Sequence, residues 1–153
     1  MKIKLLKEGI KLPTKSHLPD SGLDLFVPET FNIQPLETIT VGLKLAVSIP
    51  EGFAGMLVPR SSIAQKGLII QTAIIDPDYS GEIHLIVTNC SNNVVMIEQN
   101  QRICSLVVYS VLNPYIELVD NIESSYRHNN GLGSTGKWKS LFLTLKFLDM
   151  ILC

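Results

Sequence analysis

From residue 1 to residue 112, apolar positions come in short runs rich in Val and Ile, parted by clusters of Pro, Gly, Asn and Asp. Runs of this length and residue type suit strands, since β-branched side chains pack well on a pleated surface. Strands are predicted over Ile3 to Leu6, Leu23 to Phe26, Phe31 to Ile33, Glu37 to Val47 and Phe53 to Val58. Four more are expected over Leu68 to Ile70, Glu82 to Asn89, Val94 to Ile97 and Arg102 to Val111. No period of 3.6 residues is sustained between Glu37 and Val111, so the chain reads as an all-β sandwich or barrel. One short helix is expected at Ser61 to Gln65, where serine offers a cap and Gly67 a stop.

The pattern changes after residue 112. Asn113, Pro114, Asn121, Ser124 and Ser125 break up an irregular arm that ends in the glycine-rich stretch Arg127 to Gly136. Beyond it, Trp138, Leu141, Phe142, Leu145, Leu148 and Leu152 fall at helical spacing. The chain therefore divides into a β domain (1–112), an arm (113–136) free to reach another subunit, and an apolar extension (137–153). Lys146 and Asp149 interrupt that extension, and it is shorter than the ~20 residues of a spanning helix. It reads as a surface helix for a membrane or protein partner, as a helix packed on its own assembly, or as a tail without function.

Charge narrows the partners. Thirteen basic residues stand against fourteen acidic ones, so no broad positive field exists to hold a nucleic acid polymer. Cys90, Cys104 and Cys153 are odd in number and lack metal-ligand spacing. The first ten residues carry no uninterrupted apolar stretch of the signal-peptide kind, so an intracellular protein is expected.

Three segments carry candidate chemistry. Arg127 to Gly136 combines glycines, which let backbone approach a ligand, with the donors Arg127, Ser134 and Thr135; it reads as a phosphate lid or as a flexible tail. Pro59-Arg60-Ser61-Ser62 opens the short helix and would offer hydroxyls and amides to an anion, or be an ordinary cap with a surface arginine. Ile75 to Glu82 is a turn with Asp76, Asp78 and Tyr79; a carboxylate there could activate water and a tyrosine could wall a sugar, or the acids could simply be solvated. The histidines 17, 84 and 128 are scattered, and no Ser-His-Asp spacing favours a covalent nucleophile.

In order, Ser21 to Leu25, Pro59 to Ser62, Ile75 to Glu82, Gln101 to Ile103 and Arg127 to Gly136 resemble the five motifs of the trimeric dUTP diphosphatase family. The resemblance implies a distorted jelly roll and a homotrimer whose sites borrow from all three subunits, with the fifth motif on a swapped C-terminal arm. It implies hydrolysis of dUTP to dUMP and pyrophosphate with Mg²⁺, which limits uracil in DNA and supplies dUMP for dTMP synthesis. By this matching, Asp76 is the catalytic residue that activates water and meets the 3′-hydroxyl, and Tyr79 packs under the deoxyribose and excludes a 2′-hydroxyl. Arg60, Ser61 and Ser62 face the phosphate chain, Arg127, Ser134 and Thr135 clamp the γ-phosphate, and Asp24 holds waters on the metal. Ala73 and Ile75 border a hairpin, around Leu68 to Ala73, that reads uracil through its backbone.

The matching also exposes departures. Leu132, next to Gly133, stands where the family usually carries an aromatic ring over uracil. His128 replaces a usual glycine, Ser105 a usual glutamine that reaches the phosphates, and Ala73 a usual glycine whose backbone angle is open only to that residue. Two other readings share parts of this pattern. A dCTP deaminase of the same fold needs a glutamate where Ile86 stands, and a non-catalytic nucleotide-binding protein would keep the pocket while losing turnover.

Overall fold

The computed structural model describes residues 1–123. Its compact part, Met1–Pro114, holds ten strands and one helical turn. In chain order these are β1 (Lys2–Leu5), β2 (Gly22–Phe26), β3 (Phe31–Ile33), β4 (Thr38–Ser48), β5 (Phe53–Pro59), α1 (Ser61–Ala64), β6 (Leu68–Ile70), β7 (Ala73–Ile75), β8 (Glu82–Asn89), β9 (Val95–Ile97) and β10 (Arg102–Ser110). Nine of the strands match the expected segments to within a residue or two. The tenth, β7, is only Ala-Ile-Ile and starts at Ala73, where the sequence predicts the end of a hairpin.

Two four-stranded antiparallel sheets, β1-β4-β8-β6 and β2-β10-β5-β7, face each other, and β3 pairs with β9 in a small third sheet. This is the expected jelly-roll-like all-β sandwich. Alternation drives the layering: in β8, Ile83, Leu85, Val87 and Asn89 are buried while His84 and Ile86 point outward. Leu43 and Leu45 of β4 meet Leu57 of β5 and Ile103 and Leu106 of β10 in one core, where all five are at most 1% exposed. Asn89, the one uncharged polar side chain in that interior, is satisfied: its amide donates to the carbonyls of Ile33 and Asn93, and its oxygen accepts from Ser91.

The hairpin expected around Leu68 to Ala73 is corrected by the pairing. β6 pairs with β8 in one sheet, whereas β7 pairs with β5 in the other, so Gln71 and Thr72 carry the chain between sheets. Ala73 lies opposite Leu57 and is not among the residues with positive φ, so no glycine-only angle is required there. The cap is also different. Arg60, in extended conformation, is the N-cap residue and makes no side-chain cap bond, while Ser61 is already inside the helix. α1 is a single turn because Gly67, at φ 79°, ends it.

Residues 115–123 have no regular structure, and Tyr115, Ile116, Leu118 and Ile122 are about nine-tenths exposed. Expectations for Arg127, His128, Leu132, Gly133, Ser134, Thr135, Cys153 and the 137–153 extension lie outside the described residues. Among the described residues no helix is long and apolar enough to cross a membrane.

Leu36 sits at φ 61° in the turn before β4 and is 77% exposed. A branched apolar residue gains nothing there and suffers the crowding of its Cβ against the backbone. Leu36→Asn should raise stability by about 0.5–1 kcal/mol, since asparagine tolerates this region, seen as a higher urea midpoint with an unchanged slope.

Candidate active site

Three adjacent strands bring the first group together. Asp24 on β2 lies directly opposite Ser105 on β10, and β10 in turn pairs with β5, which ends at Pro59 just before Arg60. The Asp24 carboxylate is 7% exposed and forms ion pairs with Arg60 and, at 3.1 Å, with Arg102. Ser105 Oγ donates to the Oδ1 that Arg60 also reaches, and Ser16 Oγ donates to the Oδ2 that Arg102 reaches, each at 3.1 Å. Arg102 also donates to Ser16 Oγ at 2.6 Å.

These four donors occupy the roughly four lone-pair sites of an ionised carboxylate. Burial by itself would raise the Asp24 pKa, but the hydrogen bonds from Arg102, Arg60 and Ser105, with the charge of Arg60, outweigh it and leave the group below its ordinary 3.8. A metal-held water would reach Asp24 only by displacing one of these donors. Ser105, shorter than the glutamine expected there, serves this network from the sheet. Beside it Cys104 is buried, and burial followed by the nearby Asp24 charge pushes its thiol up to about 12.

Arg60 is thus not the free surface arginine of the plainer reading. Its guanidinium is held at Asp24, and its carbonyl accepts from Ile63 and Ala64 in the first turn of α1. Ser61 and Ser62 are exposed beside it. Ser16, and Arg102 as a partner of Asp24, were not among the site residues expected; Arg102 had a signal in the fourth motif, whereas Ser16 had none.

The second group forms where β7 leaves one sheet and β8 enters the other. Ile75 is buried, Asp76 is exposed just after it, and Tyr79 N–H closes the turn on the Asp76 carbonyl at 3.2 Å. Tyr79 Oη donates to the Glu82 carbonyl at 2.7 Å. Ile74, Ile75, Asp76, Tyr79, Glu82, Ile83 and His84 line a groove of about 220 Å³. The Glu82 carboxyl is held below its ordinary pKa, chiefly by the backbone N–H of Lys44.

The two groups stand apart within one protomer. Gly55 pairs with Ile75, so Asp76 lies level with Ala54, and Arg60 follows six residues further along the same chain direction. At ~3.3 Å per residue this places Asp76 and Arg60 about 20 Å apart. Among the described residues no group of three His, Cys, Asp or Glu side chains could hold a metal ion.

On this jelly roll, a fixed pair of guanidiniums suits an anion, and a separate carboxylate-bearing turn suits proton acceptance. Residues 8–136 match the dUTPase family model. The chain is 36% identical over 138 residues to the deoxyuridine 5′-triphosphate nucleotidohydrolase of Hydrogenobaculum sp., covering 88% of this chain and 96% of that one. It is 30% identical over 133 residues to the mouse protein of the same name, covering 86% and 82%. A variant of the Staphylococcus bacteriophage 80alpha dUTPase with dUpNHpp superposes at a TM-score of 0.83 and 30% identity, over 89% of this chain and 98% of that one. A phage phi11 dUTPase, described with a structural Mg(II) ion, superposes at 0.76 and 27% identity, over 80% and 98%. The chain belongs to the dUTPase family.

Only Asp24 is buried; the Arg60 and Arg102 side chains are 29% and 46% exposed, so water can solvate them once the carboxylate is gone. Asp24→Ala should therefore destabilise the fold by about 1–2 kcal/mol in urea melts, the scale of lost hydrogen bonds to a charged group. Because its folded pKa is lowered, Asp24 stabilises fully above its unfolded pKa, near the ordinary 3.8, and ceases to as pH falls through the folded value. Acid titration should accordingly show Asp24→Asn with a flatter loss of stability below about pH 4 than the parent.

Proposed function

We propose that the chain hydrolyses dUTP to dUMP and pyrophosphate with Mg²⁺, in sites shared between the subunits of a homotrimer. The observation that carries the shared site is the ~20 Å between Asp76 and Arg60 along one sheet. A triphosphate bound by Arg60 cannot present phosphorus to a water on the Asp76 of the same protomer. The groove beside Asp76, at about 220 Å³, is also smaller than the ~300–1,000 Å³ of ordinary ligand pockets. A second copy supplies what is missing. The exposed apolar Tyr115, Ile116, Leu118 and Ile122 are suited to cross to a neighbour and carry Arg127, Leu132, Gly133, Ser134 and Thr135 over its nucleotide.

In this reading Asp76 accepts the proton of a water aligned with the phosphate chain and meets the 3′-hydroxyl, while Tyr79 abuts the deoxyribose. Arg60, Ser61 and Ser62, with the arm's Arg127, Ser134 and Thr135, neutralise and orient the phosphates. The donor set suits Mg²⁺ carried on phosphate oxygens better than a protein-built cage, with Asp24 reaching its waters only after giving up a present donor. The metal supplies charge neutralisation on the triphosphate. Uracil is read by backbone groups of the crossover before β7, near Ala73 and Ile75, and Leu132 covers it without stacking. An intracellular location fits this substrate.

Three outcomes test the proposal. Asp76→Asn should abolish pyrophosphate release from dUTP while leaving nucleotide binding largely intact; turnover at the parent rate would sink the assignment. Co-refolding inactive Asp76→Asn with inactive Arg60→Ala chains should restore about a quarter of parental activity, the share of sites that draw an intact residue from each chain type, whereas sites built within one chain would recover none. Leu132→Phe should lower KM about fivefold at unchanged kcat, the lower end of one base stack. No change on Leu132→Phe, with a raised KM on removing residues 137–153, would instead give the cover to the extension.

A further inference from the structure

The groove beside Asp76 has one wall that no expectation assigned. β4 carries two more residues than β8 between the pairs Gly42↔His84 and Ala46↔Glu82. This bulge places Lys44 at φ 55°, turning its N–H out of the ladder. Glu82 Oε1 accepts that N–H at 3.0 Å, and Lys44 Nζ lies 3.2 Å from the same oxygen. The carboxylate lies flat over Gly42, where a Cβ would run into Oε1. The same residue's carbonyl takes the Tyr79 hydroxyl at 2.7 Å. Tyr79 folds over Gly81 so closely that a Cβ there would meet Oη at 2.6 Å, and its N–H holds the Asp76 carbonyl.

We propose that Glu82 is a positioning residue for the reaction: its carboxylate latches the start of β8 to the β4 bulge, and its carbonyl thereby fixes Tyr79 and the Asp76 turn. The proposal rests on the reading that Asp76 orients water and Tyr79 abuts the sugar. The latch ties that turn to β4 through polar contacts, and it matters because Asp76 and Tyr79 themselves are exposed and gain little from packing. His84 faces the Glu82 carboxylate at 3.9 Å and its Nδ1 lies 2.9 Å from the Glu82 carbonyl; it borders the latch from the solvent side. The backbone N–H of Lys44 is the essential partner, since the lysine side chain is 42% exposed and exposed pairs contribute little.

Pyrophosphate release from dUTP and from UTP, measured side by side, tests this. Glu82→Ala should lower kcat/KM for dUTP on the order of a hundredfold, the scale of an ~1 Å misplacement of a reacting group. It should also lower the dUTP-to-UTP preference about tenfold, because a loosened Tyr79 no longer excludes a 2′-hydroxyl. Glu82→Gln keeps an oxygen for the Lys44 N–H, and Lys44→Gly keeps both that N–H and the left-handed angle; each should stay within about fivefold of the parent in both readouts. Should Glu82→Ala not fold, Gly42→Ala displaces the flexible carboxylate and leaves the strand in place, with the same expectation. A parental dUTP-to-UTP preference in the variant that folds, or losses in Lys44→Gly as large as in Glu82→Ala, would overturn the proposal. Asp76→Asn keeping full activity would instead sink the water assignment, and the sugar preference of the Glu82 variants would still judge the latch.

Discussion

The Asp24 carboxylate, buried among two guanidiniums and two hydroxyls, ties three strands and the helical turn into one frame. An ionised group in that position is tolerable only when every acceptor site is filled. Strand order follows from that constraint as much as from the apolar core. β10 must lie between β2 and β5 for Ser105 to face Asp24 and for Arg60 to arrive from the other side. Arg60 is held in place at Asp24, so any anion it takes costs less side-chain freedom than it would with a mobile cation.

The two ends of one sheet also hold the two groups of site residues apart. One end of β5 leads into Arg60 and the hydroxyls of Ser61 and Ser62, while its start is level with the turn that bears Asp76. An antiparallel sheet cannot bring its two ends together, so the fold keeps Arg60 and Asp76 apart inside each chain. In the proposed reading, association is part of the catalytic apparatus, and the site takes form where copies meet.

Much of this was readable in the sequence. Apolar alternation in β8 and the Val- and Ile-rich runs gave away the strands, the longer ones by their face and the short ones by the turn residues on their flanks. β7, Ala-Ile-Ile, is no shorter than β3 or β6, but only Gln71 and Thr72 part it from β6, so the two read as one hairpin. Its pairing with β5 rather than β6 is a tertiary choice that local spacing does not encode. The motifs located Arg60, Asp76 and Tyr79, but not what they touch: a carboxylate in a motif reads the same whether it is open to metal-bound water or filled, as Asp24 is, by four donors. Ser16 left no trace, since a serine ahead of a turn is common and its meaning comes from Arg102, far along the chain. The Lys44 bulge was equally silent, because positive φ at a lysine has no compositional mark.

Cys104 adds a property that comes from the same buried frame. With its thiol pushed up to about 12, the group stays a neutral thiol at neutral pH, and the sulfur is also buried away from solvent. Cys90 is exposed. Oxidants and thiol-directed reagents that act on the described part of the molecule will therefore modify its rim at Cys90 and leave the Asp24 frame chemically untouched, which makes Cys90 a natural attachment point for a fluorescent reporter.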